Sequence, residues 1–360
     1  MTQRERQILQ LIEANPMISQ QTIADELNIT RSSVAVHISN LMSKGHIAGR
    51  GYVLRSGSYV VVVGGVNVAI RGRAFGPMVD VGTTPGIVQL SPSGVGRNIA
   101  HNLCLMGTDV RLLTAYGDDV HGQKISASCS ELGIDLSHAR QITGGTTSTC
   151  LYLSDHTGKT VTAISDMEIC KKITPTYLAG HLGLLQNAQA VICDANIPEE
   201  SLIYLAENCT TPLFCDPVSA AKAEKVLPIL SRIHTLKPSV REASVLTGIR
   251  IETHRDLENA ADRLLEQGVQ NLFITLGERG IFVATQEQRM LLPALPGTPV
   301  NESGAGDAVT AALAWSYLEG MELKETALAA LAAWAITAES TETVNPAMSA
   351  TAVKTRAKHN

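Results

Sequence analysis

The 360-residue chain has no Cys-x-x-Cys pair, no histidine-rich cluster and no apolar run near the roughly 18 residues of a membrane span. Its seven cysteines, at 104, 129, 150, 170, 193, 209 and 215, are odd in number and scattered through apolar surroundings. That pattern points to reduced thiols in a cytosolic protein, buried for packing rather than used in catalysis. A strong charge of either sign is also missing, since 29 basic and 34 acidic side chains leave a formal net charge of −5. Any DNA role must therefore come from a local patch and not from the chain as a whole. The opening Met-Thr-Gln-Arg-Glu-Arg starts a polar amphipathic segment rather than a signal peptide. A cytoplasmic location with no membrane partner is the expectation. No internal repeat or low-complexity tract is apparent. What remains is an ordinary globular composition, 44% hydrophobic and 18% charged, long enough for two or three domains.

Two regions differ in character, 1–56 and 57–360, with the small polar stretch Arg55-Ser-Gly-Ser58 at their junction. In the first, Ile8, Leu11 and Ile12 make a helical stripe, and Asn15-Pro16 breaks it. Ser19 caps a second short helix to Leu27, and Thr30 caps a third from Arg31 to Ser43. The inward face of the third is Val34, Ile38 and Leu41, which leaves Arg31, Ser32, Ser33 and His37 outward. Gly45 stops it, and 46–54 reads as two short strands around a Gly49-Arg50 tip. Three helices and a hairpin are the plan of a winged helix-turn-helix, with the third helix in a major groove and Arg50 on the wing reaching DNA. The plain alternative is a small helical interaction module that never meets DNA. The local charge, six basic against four acidic residues, decides only weakly.

The second region opens with Tyr59-Val-Val-Val-Val63, a strand buried on both faces. Further strands are expected at 110–116, 189–194, 212–216, 233–236 and 271–276, separated by helices such as 96–106, 121–132, 199–208 and 255–267. This alternation predicts an α/β fold with an open, mostly parallel sheet, whose ligands bind beyond the carboxyl ends of the strands. Polar residues fall at those ends: Asn67, Asp194 with Asn196, Asp216, Lys237, and Thr275 with Gly277. Residues 67–92 and 145–165 depart from the alternation and read as short polar strands, a small extra sheet over the site.

Three glycine-bearing segments carry the chemistry. Asn301-Glu-Ser-Gly-Ala-Gly-Asp-Ala308 leads into an Ala-rich helix. Gly304, Ala305 and Gly306 let backbone N–H groups close around an anion at a helix N-terminus, and Asp307 sits on the first turn as a candidate base. A phosphoryl group in transfer needs both: donors for spreading charge, and a carboxylate for the attacking hydroxyl. A tight turn with a capping Asp is the plainer reading. Ser93-Gly-Val-Gly-Arg-Asn-Ile-Ala100 is a second loop running into a helix, with Gly94 allowing close approach and Asn98 offering donor and acceptor. By itself it more readily makes a simple helix entry. Thr275-Leu-Gly-Glu-Arg-Gly280 ends a strand with two glycines, as the edge of a nucleotide site or as a tight hairpin.

With these loops in this order, residues 59–350 resemble the PfkB (ribokinase-like) carbohydrate and nucleoside kinases. The Gly-Val-Gly-Arg-Asn-Ile-Ala run, Asp166-Met167, Asp194 with Asn196, Asp216-Pro-Val-Ser219 and His234-Thr-Leu-Lys-Pro238 look most like the pseudouridine kinase branch. The resemblance implies Asp307 as base and the Gly304–Gly306 amides as anion hole. It implies an acceptor pocket of Asn67, Gly94, Asn98, Asp166, Asn196 and Lys237. Thr275, Gly277, Gly280 and Asn345 would border ATP, and Glu242 would act on Mg²⁺ through water, with a monovalent cation such as K⁺ as a further cofactor. The segments 67–92 and 145–165 would be lid strands, which in this family often form a homodimer interface. Four positions depart from the family pattern: Ala69 for a diol-binding Asp, Ser93 for the first Gly of a pair, Ser239 for Asn, and Ser165 for Asn. The expected activity is phosphorylation of a primary, 5′-type hydroxyl on a sugar or nucleoside, pseudouridine-like above all. The rival from another class is a metabolite-sensing transcriptional regulator with a kinase-like ligand domain, and a bifunctional kinase-regulator lies between.

Overall fold

The computed structural model describes residues 2–15, 18–44, 46–47, 59–78, 82–158 and 160–358. The chain separates into two compact units, Met1–Ser58 and Tyr59–Asn360. The first unit holds α1 (Gln3–Ala14), α2 (Gln20–Leu27) and α3 (Arg31–Ser43). Each starts on a side-chain cap of the expected kind: the Thr2, Ser19 and Thr30 side chains accept from Glu5, Thr22 and Ser33 amides. Asn28 closes α2 in the left-handed conformation, which Asn tolerates better than most residues. Ile8, Ile12, Ile23, Val34, Ile38 and Leu41 form the core of this unit. Glu5 is clamped by Lys44 at 2.8 Å, and that ammonium holds its carboxyl down at about 2. The expected strands at 46–54, with Arg50 at their tip, and the junction at 55–58 lie outside the described residues except for an isolated bridge at Ile47.

In the second unit the large sheet runs in the order β14-β13-β12-β11-β10-β9-β1-β4. Its strands are β1 (Tyr59–Val63), β4 (Asp109–Leu113), β9 (Val191–Asp194), β10 (Leu213–Asp216), β11 (Thr235–Leu236), β12 (Asn271–Thr275), β13 (Ile281–Ala284) and β14 (Arg289–Leu292). Pairing from β4 to β12 is parallel, and β13 and β14 add antiparallel at the far edge. Alternate residues of β1 enter opposite cores, Val60 and Val62 on one face and Val61 and Val63 on the other. Each such fully buried valine contributes about 1.5–3 kcal/mol. The Ala-rich helices Ala305–Leu318 and Leu323–Ala338 complete the first core, their small side chains letting helix approach helix and sheet closely.

A separate four-stranded sheet, β3-β2-β7-β8, is built from β2 (Asn67–Ala74), β3 (Gly86–Ser93), β7 (Thr149–Ser154) and β8 (Thr160–Asp166). Its strands fall largely in the segments 67–92 and 145–165 that depart from the alternation. A short pair, β5 (Ala115–Gly117) with β6 (Arg140–Ile142), accompanies it. The strand read at 110–116 is two strands, because Thr114 breaks the ladder between β4 and β5. No described helix is long and apolar enough to cross a membrane.

Candidate active site

The carboxyl ends of β9, β10 and β11 deliver a cluster of buried charges. In-register parallel pairing sets Asp194 beside Asp216, and Lys237 follows directly on β11. Lys237 Nζ donates to Asp216 Oδ2 at 2.8 Å, with both side chains almost fully buried. The same oxygen accepts from Thr310 Oγ1 at 2.8 Å, and Oδ1 from the Val218 amide at 2.9 Å. Val218 is held at φ 68°, which costs a β-branched residue free energy and so marks an over-determined corner. Burial by itself would lower Lys237, but the charges of Asp216, Glu242 and Asp307 outweigh it and leave its pKa above the ordinary value. Lys237 was expected in the acceptor pocket; it stands instead at the glycine cradle, 3.2 Å from where a Cβ on Gly306 would lie.

The cradle is the N-terminus of the helix Ala305–Leu318. Gly304 is its N-cap at φ 83°, and a Cβ there would collide with the Thr343 carbonyl oxygen. Only glycine fits. The Ala305 amide, expected as a donor to an anion, is spent on the Glu302 carbonyl at 3.1 Å. Among the described residues the amides of Gly306 and Asp307 have no acceptor, so these two face whatever the cradle holds. Free helix amides beside an ammonium fit the phosphates of a nucleotide.

Asp307 lies one step along the same turn. Asn98 Nδ2, from the helix Val95–Leu105, donates to its Oδ2 at 2.8 Å. Burial pushes its carboxyl up to about 7, and the nearby Asp216 adds to this against the pull of Asn98 and Lys237. A base poised near neutrality suits proton transfer from a hydroxyl. Asn98 Oδ1 and Asn67 Oδ1 are buried without a partner, which fits a ligand bearing hydroxyl or N–H donors. Gly94, at φ 110°, brings the loop against Gly65, Val66 and Asn67. Asp194 joins the same wall: its Oδ2 accepts from the Gly65 amide at 2.9 Å and its Oδ1 from Asn196 at 2.8 Å, while burial raises it to about 6. Asn196 Oδ1 accepts from Lys222 Nζ at 2.5 Å, and no motif around Lys222 marks it as part of the site.

The remaining expected residues are less closely engaged. Asp166 is exposed at the end of β8 and accepts from the Glu168 amide at 3.1 Å. Glu242 Oε2 accepts from the Ser239 amide at 2.8 Å in a capping box, so Ser239 caps this helix as well as replacing the family's Asn. Burial raises the Glu242 carboxyl. Among the described residues no cluster of three or more His, Cys, Asp or Glu is arranged to hold a metal. Thr275, Gly277 and Gly280 form the β12–β13 hairpin, and Asn345 commits its amide to the Ile336 carbonyl at 2.5 Å and the Ala347 amide at 2.9 Å. A cleft of about 1100 Å³ opens between β2, β3, the helices Val95–Leu105 and Val120–Glu131, and loops 300–303 and 341–344. Arg71, Asn98, Tyr152 and Thr343 line it. In the first unit, Arg31 and Ser32 are exposed at the start of α3, with Ser33 and His37 half-buried beside them.

A ribokinase-like α/β domain with glycine-bearing loops at the carboxyl ends of its strands and a second, smaller sheet is the frame of a class of small-molecule kinases. Compared with known proteins, residues 58–350 match the pfkB family carbohydrate kinase model, and the chain belongs to that family. Residues 1–47 match a winged helix-turn-helix DNA-binding model. An uncharacterized sugar kinase, YeiI, of Escherichia coli (strain K12) is 40% identical over 97% of this chain and 97% of its own length. A pseudouridine kinase of the same organism is 36% identical over 76% of this chain and 88% of its own. The structure of Arabidopsis thaliana ribokinase complexed with ribose and ATP superposes with a TM-score of 0.75 over 84% of this chain and 99% of that one. At 22% identity that last likeness speaks for the fold. The chain is a phosphotransferase of the sugar and nucleoside kinase class, whose members use ATP and as a rule Mg²⁺.

Proposed function

We propose that the chain transfers the terminal phosphoryl group of ATP to a primary, 5′-type hydroxyl of a nucleoside, with a pseudouridine-like nucleoside as the leading acceptor. The observation that carries this is Asp307, bound by Asn98 at 2.8 Å and raised to about 7, beside the open amides of Gly306 and Asp307 itself. Asp307 takes the hydroxyl proton as the oxygen–phosphorus bond forms, and the bond from phosphorus to the bridging oxygen breaks to release ADP. The two amides and Lys237 meet the charge that spreads over the transferred group. Asn67, Asn98 and Asn196 orient the acceptor within the wall that Gly94 and Asp194 shape, with Asp166 at its rim. Ala69 in place of a diol-binding carboxylate leaves the ribose held mainly by amides. Mg²⁺, which offsets phosphate charge when bound, would contact Glu242 through water. Thr275, Gly277, Gly280 and Asn345 shape the backbone along the nucleotide. The decisive experiment is coupled ADP release over a panel of nucleosides and sugars. Pseudouridine or a close analogue is expected to give the highest kcat/KM; turnover confined to free sugars would overturn the nucleoside assignment.

The first unit supports a second role on its own observation. Its α3 is capped by Thr30 and presents exposed Arg31 and Ser32, as a recognition helix does. We infer a kinase that also binds DNA through residues 1–56, as a homodimer whose lid sheets pair. Exposed Val88 and Leu90 on β3 and Ile164 on β8, which share one face of the sheet by register, supply the apolar surface for that pairing. In a mobility shift with the DNA upstream of its own coding sequence, wild type should bind with a steep salt dependence. Arg31→Ala and Arg50→Ala should each weaken binding about five- to tenfold and flatten the salt slope by about one. Absence of a shift at low salt would remove this role.

A further inference from the structure

We propose that Arg71 is a second positive jaw for the phosphoryl group in transfer, a phosphate-oxygen site on the lid facing the open amides of the cradle. The inference rests on the kinase reading and gives the lid a part in the chemistry, beyond covering the acceptor. Side chains alternate along β2, so Asn67, Ala69 and Arg71 share one face. Register sets Ser93, Ser91 and Gln89 of β3 beside them, with Tyr152 of β7 opposite Arg71. None of β2, β3 or β7 contains an Asp or Glu.

Arg71 is half-buried, and its hydrogen-bond partners are neutral. Nη2 donates to Thr343 Oγ1 at 2.7 Å and Nη1 to Ser91 Oγ at 3.3 Å, and the guanidinium carbon lies 5.8 Å from the Tyr152 ring centroid. Among the described residues no carboxylate pairs with it. A guanidinium offers five N–H donors in a planar fork, so two hydroxyl acceptors leave much of it open. Thr343 ties this cation to the reaction centre. Its carbonyl and Cγ2 pack directly on Gly304, the cap of the cradle helix, with Cγ2 2.6 Å from where a Cβ would stand. Arg71 therefore reaches across 272 positions of sequence to end beside the residue that walls the cradle. A half-buried cation whose hydrogen-bond partners are neutral, held by the residue that packs on the cradle's cap, has donors to offer an anion. The charge on a phosphoryl group in transfer spreads over three oxygens, and donors on two sides of it stabilise more than donors on one. Arg71 only donates hydrogen bonds; no proton leaves it.

The test is calorimetric binding of Mg²⁺–ADP and of the Mg²⁺ complex of a β,γ-imido ATP analogue to wild type, Arg71→Ala, Arg71→Lys and Thr343→Val. Arg71→Ala is expected to keep the ADP affinity and lose about tenfold for the analogue, the weight of one charge-assisted hydrogen bond. In turnover its kcat should drop about 100-fold with the acceptor KM near wild type. Arg71→Lys should recover part of both, and Thr343→Val, which removes one hydrogen bond to the guanidinium but leaves the charge in place, should cost clearly less than Arg71→Ala in both. Unchanged analogue affinity in Arg71→Ala overturns the proposal. So does a rise in acceptor KM alone, which would put the anion on the acceptor. If Thr343→Val reproduces Arg71→Ala, Arg71 is a latch on the lid and the proposal also fails. A wild type that binds neither nucleotide overturns the kinase reading instead.

Discussion

Asp307→Asn is expected to lower kcat by about three to four orders of magnitude while the protein stays folded and keeps its affinity for the nucleotide. The substitution preserves shape, but an amide accepts no proton from the attacking hydroxyl, while its carbonyl oxygen can still accept from the Asn98 Nδ2 that now donates to Oδ2. Wild-type kcat/KM should rise with pH through about 7 and then level, because the base must be ionised and burial holds its carboxyl at about 7. The same shift fixes a sign for stability. A carboxylate whose folded pKa lies above its unfolded value of about 4 is bound by protons more tightly in the native state. Its ionisation therefore costs stability progressively as pH rises from about 4 to about 7, and that cost persists above. Asp307→Asn should thus melt higher than wild type at pH 8, with the difference shrinking towards pH 4. Thermal melts across that range, paired with coupled assays, check both halves. Retention of more than about a tenth of wild-type kcat would exclude Asp307 as the base.

The parts of this site that are local in sequence were legible in it. Gly304-Ala-Gly-Asp307 suggests a cradle and a base because small residues and an acid at a helix start suit an anion and a proton acceptor, although a tight turn with a capping Asp asks for the same residues. The apolar run of β1 and the caps Ser19 and Thr30 likewise carry their own signals. Contacts between distant residues carry none. Nothing near Arg71 indicates Thr343, and nothing near Asp216 indicates Thr310, because side chains that meet only after the sheet is wound leave no periodicity behind. Thr275–Gly280 shows a third case, where two readings share one requirement. Gly277 and Gly280 adopt positive φ, 62° and 104°, to turn β12 into β13, and a backbone opened for a nucleotide would demand glycine just as well. The Ala305 amide was misassigned for a related reason. Counting amides at a helix start does not reveal which one the preceding turn has already taken.

Lys237→Met is expected to destabilise the kinase unit by about 3–5 kcal/mol, the largest loss of stability for a single change in the site. The two carboxylates at the ends of β9 and β10 are set side by side by the sheet register, and the Lys237 ammonium, 2.8 Å from Asp216, is the cation that offsets the charge of that one. Without it Asp216 keeps only the Thr310 hydroxyl and the Val218 amide, and a buried carboxylate so placed must protonate or draw in water. Pairing the change with Asp216→Asn should return more than half of the loss, since an uncharged amide needs no counter-ion, and a double-mutant cycle in urea measures that coupling. Activity should not return with it. Lys237 also stands 3.2 Å from the position a Cβ would take on Gly306, where the proposed reaction places the transferred group, so the double variant is a stable fold that lacks a charge at the cradle. Stability and catalysis are thereby separated at one residue. A double variant as unstable as Lys237→Met alone would mean that the lysine stem, through packing, and not its charge, holds this end of the sheet together.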